Sequence, residues 1–159
     1  MKQLLSSVIA AMAIAGGSAI AAESSGNYAT DLARVFGGYQ RILALKEACD
    51  TAVPVARASN NKAFSAWEAQ HRALLEDLQQ RVSAMIRAAS KDKEDYLRNL
   101  GKYDGEILLQ RKEYRDMLVA LGADELRAQC QRVPETLKGA DADLARVYAT
   151  ELEAIRKRK

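Results

Sequence analysis

Apolar residues recur at three- and four-residue steps through nearly all of the chain after Ser25, and only two prolines, Pro54 and Pro134, interrupt them. That period is the signature of amphipathic helices. Aromatic residues make up only 6% of the chain, which disfavours a sandwich or barrel, whose strands are usually rich in them. The chain is therefore expected to be all-α.

Proline and glycine partition the helices. The first is expected from about Tyr28 to Val53, stopped by Pro54, with an apolar face of Leu32, Val35, Phe36, Tyr39, Ile42, Leu43, Cys49 and Ala52. Gly37-Gly38 interrupts its middle. Each glycine costs about 1 kcal/mol relative to alanine in a helix interior, so either the helix starts later or a neighbour packs closely there. Ser59, Asn60 and Asn61 are candidate caps for a second helix ending near Ala89, whose stripe runs from Phe64 through Trp67, His71, Leu74 and Leu78 to Ile86.

The third region, about Glu94 to Leu121, carries a heptad seam of Tyr96, Leu100, Tyr103, Ile107, Gln110, Tyr114, Met117 and Leu121. Gly101 and Gly105 lie inside it, and continuity is slightly favoured over a break. Their GxxxG spacing says little here, because the association it marks belongs to apolar membrane helices. Gly122 is placed to end this helix. A short helix from Asp124 to Arg132 follows, then a turn over Pro134 to Gly139. Asp141 or Asp143 can cap the last helix, whose face is Leu144, Val147, Tyr148, Leu152 and Ile155. Together these predict a four-helix-bundle-like domain with a short extra helix.

The N-terminus has the layout of an export leader. Lys2 supplies a positive start, an apolar run spans Leu4 to Ala15, and Gly16-Gly17 breaks it. Ala19-Ile20-Ala21 then offers small residues at both positions a signal peptidase reads. Cleavage is expected between Ala21 and Ala22, leaving residues 22–159 as one domain. The apolar run is too short to span a membrane, which needs roughly 20 residues. Without Lys2 the remainder holds 23 basic and 21 acidic residues, a net +2 that implies neither nucleic acid nor anionic lipid as a partner. No stable membrane insertion is expected after cleavage.

Export gives meaning to Cys49 and Cys130. In an oxidising compartment a lone pair is expected to bridge, stapling two helix ends across an 81-residue separation. The chain-entropy value for such a loop is about 4.5 kcal/mol, an upper figure.

Catalytic patterns are scarce. Glu68-x-x-His71 matches half of a carboxylate-bridged di-iron unit, but the second half needs another histidine and His71 is the only one. Stacking of His71 on Trp67, with its polar end reaching a carbonyl or carboxylate, explains it more simply. Asp92, Glu94, Asp95, Asp141 and Asp143 stand at helix starts, where the helix dipole favours them. The basic tail Arg156-Lys157-Arg158-Lys159 suits a helix C-terminus for the same reason. No nucleophile elbow, phosphate loop or haem-attachment motif is present, so no cofactor or metal is expected.

Long amphipathic helices without a catalytic set suggest a periplasmic or secreted protein that binds another envelope protein, in an inhibitor, immunity or chaperone-like role. The format resembles that of periplasmic holdase chaperones without a shared motif, and the Cys49/Cys130 pair departs from it. The alternative is a small-ligand pocket near Trp67 and His71. In either case Trp67, His71, Tyr103 and Tyr114 are the candidate contact residues.

Overall fold

The computed structural model describes residues 24–158, and within them every regular element is helical. The expected leader and its cleavage position lie outside these residues. Six α-helices follow in order: α1 Tyr28–Ala52, α2 Arg57–Ala88, α3 Lys93–Ala120, α4 Ala123–Thr136, α5 Leu144–Val147 and α6 Ala149–Lys157. None is long and apolar enough to cross a membrane.

α1 is the hub, with α2, α3, α4 and α6 all packed on it. Its C-terminal half meets the start of α2 and α4 in one core cluster, around Cys49, Phe64, Trp67, Leu126, Cys130 and Val133. Its N-terminal half meets the end of α2 and α6 in another, around Leu32, Val35, Leu78, Val82, Leu152 and Ile155. α2 therefore runs antiparallel to α1. The Cys49–Cys130 disulfide ties α1 to α4 inside the first cluster, with Cα atoms 5.3 Å apart and both residues fully buried.

Gly37 and Gly38 do not interrupt α1, because neighbours fill the space they leave. A Cβ at Gly38 would sit 2.4 Å from the Tyr148 ring, and one at Gly37 would touch the Gln110 side chain at 3.5 Å. The same Tyr148 divides the expected last helix into α5 and α6, its backbone leaving helical geometry at φ −110°, ψ 30°.

Three other expectations are corrected. α2 begins at Arg57, directly after a 3-10 turn over Pro54–Ala56, so Ser59, Asn60 and Asn61 are not its caps. Pro134 does not end the preceding helix, because α4 continues through it to Thr136. The second departure has a specific cause. A proline at 134 cannot donate to the carbonyl of Cys130, and the buried Asn60 side chain donates to it instead, at 3.1 Å.

The third correction concerns the seam on α3. The helix is continuous, with Asp92 capping it through the Asp95 amide, but none of its residues is fully buried. It leans mainly on α1, so its apolar face meets one neighbour where a bundle interior would supply two. A heptad also drifts by ~20° per repeat on a straight helix. By the C-terminal end Leu118 has rotated onto the core, while Met117 and Leu121 face outward.

Candidate functional site

Beyond the turn that joins them, α2 and α3 part, and α1 floors the space between. The result is an open groove of about 660 Å³. Its apolar lining comes from Phe36 and Leu43 on α1, Leu75 and Val82 on α2, and Leu100 and Ile107 on α3. Helical spacing puts each pair on one face of its helix.

Polar groups cross this surface in two ties. The Tyr39 hydroxyl donates to Glu68 Oε1 at 3.2 Å, joining α1 to α2. Arg111 of α3 donates through Nε to Gln40 Oε1 at 2.8 Å and pairs with Glu47 at 3.2 Å, joining α3 to α1. Tyr103 differs, because its hydroxyl is buried with no hydrogen-bond partner among the described residues. Burial, reinforced by Asp104 and Glu106, pushes its pKa up to about 12. Burial and the Glu68 carboxylate likewise raise Tyr39. Both phenols are therefore neutral hydrogen-bonding groups at physiological pH.

Charged groups of both signs line the groove, with carboxylates in slight excess. Glu68, Glu76 and Asp104 line it against Arg72 and Arg111, and Glu47 already offsets Arg111. Such a surface suits recognition: an apolar floor with charged groups of both signs, carboxylates in slight excess, and phenol hydroxyls.

The four candidate contact residues are not brought together. Trp67 and His71 stack with ring centroids 4.4 Å apart, and both are buried. Trp67 Nε1 donates to the Ala142 carbonyl at 2.8 Å. His71 Nδ1 lies 2.8 Å from the Trp67 carbonyl, and Nε2 accepts from the Leu144 amide at 3.3 Å. Backbone from 142–144 thus closes over the two rings, and His71 also lines a small polar pocket of about 270 Å³ with Gln70, Asp143 and Arg146. Tyr103 lines the groove, whereas Tyr114 lies under Arg41, 4.8 Å from guanidinium to ring centroid.

Sequence reasoning missed Gln40, Arg111 and Asn60. Gln40 left a trace, as a polar residue beside Tyr39 on the apolar stripe of α1. The Asn60 contact left none, because its partner is a main-chain atom 70 residues away.

No protein-family model, curated protein or solved structure matches the chain. Its function must be argued from the site alone.

Proposed function

We propose that this is an exported protein of the bacterial cell envelope that works by holding a segment of another envelope protein in the α1–α2–α3 groove. Inhibitor, immunity and chaperone-like roles are all forms of this activity. The observation that carries the reading is the open, apolar-floored groove with excess carboxylate at its rim. The leader-like N-terminus and the buried disulfide support residence in an oxidising compartment, the periplasm or the exterior. The occupant that suits the groove is an amphipathic helix with an apolar ridge and basic flanks.

The test is capture from envelope extract, comparing the native protein with Leu75→Glu and Glu76→Lys. Leu75→Glu should abolish capture of the specific partner. Glu76→Lys should weaken it, and the native interaction should fade as salt rises. A partner retained equally by both variants would show that the groove is not the docking surface.

The unpartnered Tyr103 hydroxyl favours a second reading, a small amphiphile that carries a hydrogen-bond acceptor into the same groove. On that reading Tyr103→Phe weakens binding of the amphiphile. On the first reading it leaves partner capture nearly unchanged.

A further inference from the structure

The outer face of α3 carries a pattern of its own. Leu97, Leu108 and Val119 are 56%, 59% and 56% exposed and stand at eleven-residue intervals. Eleven residues make almost three whole turns, so the three lie along one nearly straight stripe. Gly101, Asp104, Lys112 and Arg115 fill the turns between them. From Leu97 to Val119 the steps are 4, 3, 4, 4, 3 and 4, which read the same in both directions.

We propose that this stripe is a self-association surface, on which two copies of the chain pair their α3 helices antiparallel about a two-fold axis at Leu108. An isologous contact of this kind sets each residue against its mirror position. Leu108 meets Leu108 of the second copy, and Leu97 meets Val119. Asp104 meets Lys112, and Gly101 lies under Arg115. Charge decides the direction. A parallel, in-register pairing would face Asp104 with Asp104 and Lys112 with Lys112, whereas the antiparallel one joins opposite charges twice.

Two further observations point the same way. Asp104 has no ion-pair partner among the described residues, and Lys112 has only the exposed i,i+4 contact with Asp116, a weak kind of pair. Gly101 and Gly105 sit in the helix interior, where each costs about 1 kcal/mol relative to alanine. A Cβ at either would meet nothing within 4 Å, so the chain's own packing does not require them. At Gly101, opposite a long arginine of the second copy, a bare backbone has a use.

The inference does not rest on the groove reading, although Asp104 and Leu108 also edge the groove. Glu76→Lys perturbs only the groove, and changes at Lys112 only the stripe, so failure of one is distinguishable from failure of the other.

The experiment is sedimentation equilibrium of the disulfide-bonded protein over a wide concentration range, with far-UV circular dichroism confirming that each variant is folded. The native mass should rise from one chain to two. Asp104→Lys and Lys112→Asp should each weaken the dimer about tenfold or more, since both symmetric ion pairs become repulsive. The double exchange Asp104→Lys/Lys112→Asp should restore it. Leu108→Cys should cross-link into a covalent dimer on mild oxidation, because the axis places the two thiols together. A single-chain mass at every concentration overturns the proposal. So does a dimer that ignores the single charge reversals, is not rescued by the double one, or fails to cross-link through position 108.

Discussion

The side-chain amide of Asn60, on α2, donates to the main-chain carbonyl of Cys130, on α4, across 3.1 Å. It occupies the place of the N–H that Pro134 lacks, and so lets α4 run through a proline without a buried orphan acceptor. Asn60→Ala should cost about 1–3 kcal/mol, read as a lower urea midpoint at unchanged slope. Alanine at 134 supplies the missing donor. In a Pro134→Ala background the Asn60→Ala penalty should therefore shrink, and a double-mutant cycle should show clear coupling. Additive effects would mean that the two residues do not serve one carbonyl.

The glycines of α1 and α3 should respond in opposite directions. Gly38→Ala drives a methyl group into the Tyr148 ring and should destabilise by about 1–3 kcal/mol. Gly105→Ala projects into open space and should stabilise by about 1 kcal/mol in dilute protein. Thermal melts of the two variants beside the native protein check both signs.

Trp67 and His71 hold the 142–144 backbone against α2. Trp67→Phe and His71→Ala should each increase amide exchange over residues 140–147, while the α1 and α2 cores stay protected. Loss of protection spread evenly over the whole chain would assign the pair to the global core instead.

Tyr103 should mark its position at alkaline pH. An unfolded tyrosine ionises near pH 10, whereas the folded hydroxyl is pushed up to about 12. The folded state then keeps a proton that the unfolded state has lost. The stability this group contributes is intact below about pH 10 and falls as pH rises toward 12. Tyr103→Phe should remove that part of the alkaline decline, seen as a smaller drop in urea midpoint than the native protein shows. At neutral pH the variant should be as stable as the native protein or more so, because the lost hydroxyl had no partner.

Cys49 and Cys130 are both fully buried, so reductant should act slowly on folded protein and quickly once it opens. Replacing both with alanine should cost about 2–5 kcal/mol. For a domain of this size that is a fall in melting temperature of roughly 5–20 °C. An unchanged melting temperature would mean that the bridge does not restrain the unfolded chain.

Much of the fold was written in local patterns. The three–four periodicity determined the helices, and α1 and α3 begin and end within a residue or so of where it places them. The cysteine pair determined the staple, Asp92 marked one helix start, and of the two candidates Asp141 and Asp143 it is Asp143 that caps another. The helices and their starts depend on neighbours within one or two turns, which a linear sequence displays directly, and the staple was legible because the chain holds only two cysteines. Tertiary structure alone decided the rest. Whether Gly37-Gly38 breaks α1 depended on Tyr148 and Gln110 arriving from distant segments. Whether Pro134 ends α4 depended on an amide from α2. The candidate site belongs to the same class. A groove exists because α2 and α3 part while both rest on α1, and an amphipathic stripe says which side of a helix is apolar without saying how much of that side a neighbour covers.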